Sequence, residues 1–478
     1  MTNYETIIGL EVHVELITQS KLFCGCANRF GAEPNTLCCP TCLGLPGSLP
    51  VLNQIAVEMA LRAALALNCT IAPLIRFDRK HYFYPDLPRG YQITQYTTPI
   101  GSGGFLEIET PLGVKKIGIA RVHLEDDAGK LVHSNEQSGA SLVDYNRSGV
   151  PLIEIVTTPN LHSPQEARIF LDTLKNVLQY LDVSDCKMQE GSLRCDANLS
   201  LRPEGTIQLG VKTELKNVNS FRNIERGLEY ERQRQQDLLL SGGTILAETR
   251  RWDDGRGVTL PMRVKEESQD YRYFPEPDLP ATPIGPKWID QILKQLPELP
   301  AIRYQRLLRQ HHLTEYEAGM ISRCKHLADF CESVVAQGVQ PKAAVGWLLG
   351  EVSRLMNARQ LEWEHIPIRA DDLALLIKEV NAGRVSTTKG KELLALSFTT
   401  GEQLARLLRE SEVLQISDQD DLRTLVAQAI ANNDQVVAEI KAGKERALMF
   451  LIGQVIRLSR GRANPTLVNE LLRNELGL

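Results

Sequence analysis

Apolar and polar residues alternate along several stretches of this chain. In IIGLEVHVEL, Ile8, Leu10, Val12, Val14 and Leu16 are apolar, and Gly9, Glu11, His13 and Glu15 fall between them. Side chains alternate across a strand, so Glu11, His13 and Glu15 share one face. The period returns in RVHLEDDAGK, residues 121–130. Val122 and Leu124 face one way, Arg121, His123 and Glu125 the other, and Asp126 and Asp127 lie where the strand should turn before Gly129. In PLIEIV, Glu154 sits alone among Leu152, Ile153, Ile155 and Val156. In SLRCDANLSLR, Arg194, Asp196, Asn198, Ser200 and Arg202 alternate with Leu193, Cys195, Ala197, Leu199 and Leu201. In GVKTELKNVNSF, Lys212, Glu214 and Lys216 alternate with Val211, Thr213 and Leu215.

Helical spacing interrupts these strands at HSPQEARIFLDTLKNVLQYL. Ser163 is placed to cap, Pro164 suits the first helical position, and Glu166 completes a capping box. Ala167, Phe170, Leu171, Leu174, Val177, Leu178 and Leu181 then repeat on one side. A second helix is predicted from Ile224 to Leu240, ending at Gly242-Gly243. The proline-dense stretch 275–286 marks a boundary. From about Leu299 onward helix formers dominate; Asn381-Ala-Gly383 reads as a helix end, and another boundary falls near residue 405. The pattern predicts an α+β chain: an antiparallel-sheet domain over 1–295, a helical domain over 296–405 and a helical tail over 406–478.

With 478 residues the chain exceeds one compact core. No apolar run has the length of a membrane helix, and the N-terminus lacks a basic region followed by an apolar one, so the expected location is the cytoplasm. A net charge of −5 excludes a general nucleic-acid coater and makes any such contact local.

The polar strand faces have two readings. One is an antiparallel sheet with a wet face. That leaves Glu154 unexplained, because a lone carboxylate in an apolar strand costs several kcal/mol unless a cation or partner meets it. The other is a shared site: carboxylates that hold magnesium, with Arg and Lys clamping phosphates. No Walker loop and no GxGxxG is present, so a nucleotide site here is neither P-loop nor Rossmann.

The stretch FCGCANRFGAEPNTLCCPTC pairs Cys24-x-Cys26 with Cys39-x-x-Cys42 across a twelve-residue gap. Four thiolates at this spacing in a reducing compartment suit a tetrahedral, structural zinc. Cys38 is an alternative ligand, with Cys39 favoured by spacing. Cys69, Cys324 and Cys331 fall in helical patterns as core residues, and His311, His312 and His326 carry no signal of function.

Read together, GLEVHVEL, the cysteine loop, RKHYFYPDLPRGYQITQY, RVHLEDDAGK, VDYNRSGVPLIEIVTTP, QEGSLRCDANLSLRP, ELKNVNSF, DYRYFPEPDL and the C-terminal GQVIRLSRGRANPTLVNELL resemble the B-subunit family of bacterial-type aspartyl/glutamyl-tRNA amidotransferases over essentially the whole chain. The resemblance implies a cradle-like sheet akin to that of glutamine synthetase, then a helical domain and a tail that engages tRNA. It implies that ATP phosphorylates the side-chain carboxylate of a mischarged Glu-tRNA(Gln) or Asp-tRNA(Asn), and that ammonia displaces the phosphate. The ammonia comes from a separate amidase, the A-subunit of a heterotrimer, whose small C-subunit joins the other two.

By resemblance, Glu11, His13, Glu125, Asp126, Glu154 and Glu190 are magnesium-site residues. A cation between Glu125 and Asp126 then explains their adjacency, and Asp127 is expected to turn away toward Lys130. Arg194, Lys212 and Lys216 are expected at ATP. Arg79, Lys80 and His81 are expected at the acceptor end or in a solvated loop, with Tyr82, Tyr84 and Tyr91 as base platforms or an aromatic loop core. The tail, which from Lys441 to Leu478 holds seven Lys/Arg against three Glu, is expected to contact tRNA through Arg457, Arg460 and Arg462. VSTTKGKELLAL, residues 385–396, departs from the more apolar serine-lysine helix start of relatives. Two rivals are a zinc-braced tRNA scaffold without chemistry and a stand-alone ATP-dependent carboxylate-amine ligase. The absence of a glutaminase motif argues against the second.

Overall fold

The computed structural model describes residues 3–133, 141–264, 270–410, 419–441, 444–459, 463 and 465–477. The chain is of mixed α+β class and divides into two units, Met1–Leu299 and Pro300–Leu478.

A nine-stranded sheet organises the first unit. Its spatial order is Val258–Val264, Glu248–Asp253, Thr213–Lys216, Leu193–Pro203, Tyr4–Glu15, Pro151–Thr157, Gly113–Asp126, Gly101–Thr110 and Thr70–Ile71. The 4–15 strand is central, antiparallel to 151–157 on one side and to 193–203 on the other. The expected antiparallel pattern fails once, where 213–216 runs parallel to 248–253.

Alternation decides the faces. Val12, Val14, Ile153, Ile155, Val122, Leu124, Leu193 and Cys195 are buried in one core with Ala167, Phe170, Leu171 and Leu174 of the helix Pro164–Tyr180, and with Ile224 and Leu228 of the helix Phe221–Leu240. Ser163 caps the first helix as expected, its Oγ accepting from the Glu166 N–H at 3.1 Å. Glu166 does not close a capping box: its carboxylate accepts from the His162 N–H at 2.7 Å and from Lys115. The second helix starts at Phe221, three residues before the predicted Ile224, with Ser220 as its cap.

Besides the four-residue helix Pro40–Leu43, two longer helices of this unit were missed by the hydropathy pattern. Gln54–Ala66 is capped by Asn53, whose side chain accepts from Ile55 and Ala56. It buries Ala56, Val57, Ala60, Leu61 and Ala64, small residues that read weakly in a hydropathy pattern. Cys69 is buried in the turn after it rather than within a helix. Pro286–Gln295 follows the proline-dense stretch, and its Ile292 joins the same core.

A small sheet, Phe274–Pro275 with Asp78–His81 and Tyr91–Thr94, meets the polar side of the large sheet at the end of the 113–126 strand. Thr94 Oγ1 donates to Glu125 Oε2 at 2.9 Å, and Gln95 Oε1 accepts from the Leu124 N–H at 3.0 Å.

The second unit is helical and has two separate apolar clusters. One runs from Leu307 to Leu407, the other from Leu422 to Leu476. Ser386 caps the helix Thr387–Thr400 by accepting from the Lys389 N–H, so the atypical VSTTKGKELLAL start still makes a capped helix. Gly383, at φ +70°, ends the preceding helix Ala370–Asn381. No described helix is long and apolar enough to cross a membrane.

Candidate functional site

Strand register builds the polar face as rows. His13 lies directly between Arg194 and Glu154, and Glu154 in turn faces His123. Four residues far apart in sequence, Arg194, His13, Glu154 and His123, thus form one line across four strands. One row along, Glu11 lies between Asp196 and Val156. On the other side, Glu15 and Glu125 flank Leu152.

Within the line, His13 Nε2 is 3.3 Å from Glu154 Oε2. His123 Nε2 is 3.3 Å from both Glu154 Oε2 and Glu125 Oε2. The three groups His13, Glu125 and Glu154 bring ligand atoms within 4.8 Å of one another, close enough to hold a cation. Their charges are strongly coupled. Burial opposes ionisation of Glu154, but hydrogen bonds from His123 and His13 hold its carboxyl well below the usual range. Burial likewise opposes protonation of His123, yet its hydrogen bonds to Glu125 and Glu154 push its pKa up to about 9. His123 Nδ1 is buried without a hydrogen-bond partner among the described residues. Sequence reasoning placed His123 on the correct face but gave it no role; nothing in the local pattern marks it as the bridge between two carboxylates.

The acidic run 125–127 fans out toward different partners. Glu125 turns to Thr94 and His123. Asp126 pairs with Arg89 and accepts from the Ile93 N–H at 2.8 Å. Asp127 does not turn to Lys130: it accepts from Arg147 Nε at 2.6 Å and from Arg194 at 2.7 Å. Burial raises the Asp127 pKa and the two guanidinium charges lower it by more, so the group stays ionised. Successive residues of a strand point to opposite faces, which separates Glu125 from Asp126, and Asp127 lies past the end of the strand; the three adjacent carboxylates thus meet three separate sets of partners.

Of the other expected magnesium residues, Glu11 accepts from Asn198 Nδ2 at 3.0 Å, and Glu190 lies 3.3 Å from Lys187. Neither joins the three-residue cluster. Among the expected ATP residues, Arg194 lies in the His–Glu line. Lys216 pairs with Asp196 at 2.6 Å, and Lys212 is exposed, just before its strand. Arg79 is committed to Glu276 at 2.7 and 2.8 Å, and His81 Nδ1 lies 2.9 Å from the Arg272 carbonyl. Lys80 lies over the Tyr271 ring at 4.8 Å, and Tyr96 stacks on Tyr273 at 3.9 Å. Tyr82 packs edge-on against Tyr84 and Tyr271, and Tyr91 lies under Arg79. Arg457 is exposed on the helix Leu448–Leu458; Arg460 and Arg462 lie outside the described residues.

The cysteine loop converges independently. Cys42 Sγ lies 3.5 Å from Cys24, 3.7 Å from Cys39 and 3.8 Å from Cys26. Ligands at about 2.3 Å around a tetrahedral zinc are about 3.8 Å apart, so the spacing fits such an ion. Cys38 turns away and donates to the Asn35 carbonyl at 3.3 Å. Lys21 is fully buried beside the cluster: its Nζ lies 3.4 Å from Cys42 Sγ and donates to the Ser148 carbonyl at 2.7 Å. A hydrogen bond from Cys24, the Cys39 backbone and the Lys21 charge together outweigh burial and hold the Cys42 thiol down to about 4.

The loop and the sheet face meet at a cavity of about 610 Å³, lined by Arg29, Phe30, Glu15, Arg147, Arg194 and Asn219 among others. The segment 144–150 lies between them. Asn146 accepts from the Leu37 N–H on the loop, and Arg147 pairs with Asp127 on the sheet.

Residues 6–290 match the family described as the GatB/GatE catalytic domain, and residues 329–476 that described as the GatB domain. The chain is 51% identical over 473 residues to the B-subunit of the aspartyl/glutamyl-tRNA(Asn/Gln) amidotransferase of Thermoanaerobacter sp. strain X514, covering 99% of each chain. It is 52% identical to the protein of that name from Caldanaerobacter subterraneus subsp. tengcongensis, again over 99% of both. Against the Carboxydothermus hydrogenoformans protein the identity is 49%, over 100% of this chain and 99% of the other.

Proposed function

The chain belongs to the B-subunit family of aspartyl/glutamyl-tRNA(Asn/Gln) amidotransferases, and from that premise we propose that it amidates mischarged Glu-tRNA(Gln) or Asp-tRNA(Asn) in the cytoplasm. It does so in a heterotrimer: the amidase A-subunit supplies the ammonia, and a small C-subunit completes the assembly. The observation that carries the assignment of the chemistry is the line Arg194, His13, Glu154, His123 with Glu125 beside it. The wide sheet, apolar and helix-covered on one face and polar on the other, supports the reading as a cradle akin to that of glutamine synthetase. Residues 1–295 form the catalytic domain in this reading, 296–405 a helical domain, and 406–478 the tail that meets tRNA, with Arg457 on an exposed helix face.

The substrate carboxylate is already an anion when it attacks the γ-phosphoryl group of ATP, so the site needs positioning and charge neutralisation more than a base. Glu125 and Glu154 are two buried carboxylates side by side, a donor set that would hold magnesium, with His13 next to them. Bound there, magnesium would supply positive charge to neutralise the group in transfer. His123 holds both carboxylates with one ring nitrogen and fixes their aim. Asp127 and Glu15 hold Arg147 and Arg194 in place along the cavity. From there their guanidinium groups neutralise phosphate charge. Ammonia then forms the C–N bond and phosphate departs. The four cysteines hold zinc as a structural ion.

The test replaces Glu154 with Gln in the assembled enzyme. Gln-tRNA formation from Glu-tRNA(Gln), ATP, magnesium and ammonium chloride should fall roughly a thousandfold, with tRNA binding unchanged. Activity within a few-fold of wild type would move the chemistry off this sheet face and favour a scaffold role.

A further inference from the structure

The tip of the cysteine loop has no role in the site so far, yet it lines the same cavity as Arg147 and Arg194. Its flanks are pinned. On one side the Asn28 side chain donates to the Leu16 carbonyl at 2.9 Å, and its N–H donates to the Gln19 carbonyl at 3.0 Å. On the other, Asn146 Nδ2 donates to the Glu33 carbonyl at 2.7 Å. Four residues, Arg29, Phe30, Gly31 and Ala32, span the gap, with Gly31 at φ +81° to make the turn. Phe30 is 71% exposed and has no ring partner among the described residues. That sets an exposed aromatic ring on a pinned turn at the cavity.

The charges around the cavity point the same way. Arg147 and Arg194 are held by Asp127. Arg29 and Lys130 line the cavity and take part in no ion pair among the described residues. A ring with a free guanidinium beside it, at the rim of a cavity with further cations inside, has the parts of a nucleotide platform: stacking for a base and donors for phosphate.

We propose that Arg29 and Phe30 form the rim subsite for an adenosine phosphate, Phe30 stacking on the base and Arg29 meeting the phosphate. This rests on the amidation reading above. The same chemistry has two sources there, free ATP and the terminal adenosine of the mischarged tRNA. Pinning on both flanks lets the loop offer the ring without ordering it on binding. The four-cysteine cluster gains a purpose beyond bracing, because the residues it holds together carry a binding surface.

The experiment uses the assembled enzyme with ammonium chloride as nitrogen source, comparing wild type, Phe30→Ala, Phe30→Trp and Arg29→Ala. Steady-state KM and kcat are measured separately for ATP and for Glu-tRNA(Gln), alongside filter binding of the labelled mischarged tRNA. Phe30→Ala should raise one KM on the order of tenfold with kcat within twofold, and Phe30→Trp should restore it. Arg29→Ala should raise the same KM and flatten its salt dependence. A rise confined to ATP identifies the free nucleotide as the occupant, and a rise confined to tRNA, matched in filter binding, identifies the acceptor end. Unchanged KM values for both, or a loss that Trp does not restore, overturn the proposal. Failure of wild type to amidate at all overturns the amidation reading instead.

Discussion

Two clusters among the described residues can hold a metal ion, and they are built in opposite ways. The four cysteines come from one short loop, brought together by two tight turns. The imidazole and two carboxylates of the sheet face come from three strands distant in sequence, and only pairing register unites them. The first is a closed shell of sulfur with one buried ammonium, Lys21, beside it. The second is edged by Arg194 and by the cavity, with a fourth side chain, His123, bridging the carboxylates. Local construction yields a fixed brace. Long-range construction yields a site whose charges depend on one another and whose neighbour Arg194 lines the cavity.

The sharpest way to break this contrast is to remove a sulfur. Cys42 is within 3.8 Å of the other three, so Cys42→Ser removes the centre of the shell. Bound zinc, measured by mass spectrometry of the purified protein, should fall from roughly one equivalent to near none. Cleavage of the loop by a protease should accelerate about tenfold as its local stability drops. Retained zinc would mean that the cluster is not the zinc site. A smaller effect is expected at Asp126. Asp126→Asn leaves Arg89 buried without its counter-charge, a change that destabilises by about 3 kcal/mol in urea unfolding, while kcat for amidation should stay within roughly tenfold. A thousandfold loss of kcat at unchanged stability would put Asp126 in the catalytic cluster after all, and erase its difference from Glu154.

These two expectations also measure what could be read from sequence. The cysteine spacing was sufficient because the atoms that matter lie within one loop and the turns between them are short. Period-two alternation was sufficient to put His13, His123 and Glu125 on polar faces, while Glu154 was marked only by being a lone charge in an apolar strand. Alternation could not say which residue lies opposite which, since register is set by pairing between strands and not by either strand alone. Hence Glu11 looked equivalent to Glu125 although it turns to Asn198, and Asp126, past the alternating positions, could not be matched to its partner Arg89. The partners that divide the acidic run, Arg89, Arg147 and Arg194, lie in three segments that no periodicity connects. The helix over 54–66 was missed for a simpler reason: its buried face is largely alanine.

The mildest expected effect separates the neighbouring cysteines. Cys39 precedes the short helix Pro40–Leu43, whose first turn closes with the Leu43 N–H donating to the Cys39 carbonyl at 3.1 Å. That turn brings residues 39 and 42 to the same side, as i and i+3 positions do. Cys38 lies one residue outside it, with its thiol on the Asn35 carbonyl. Cys38→Ser keeps a donor of similar shape at that carbonyl, so zinc content should be unchanged and stability within about 0.5 kcal/mol. Cys39→Ser should instead lose zinc as Cys42→Ser does. If the two substitutions behaved alike, the thiolates would be exchanging at the ion, and the loop would be a looser brace than the turn at 39–43 makes it.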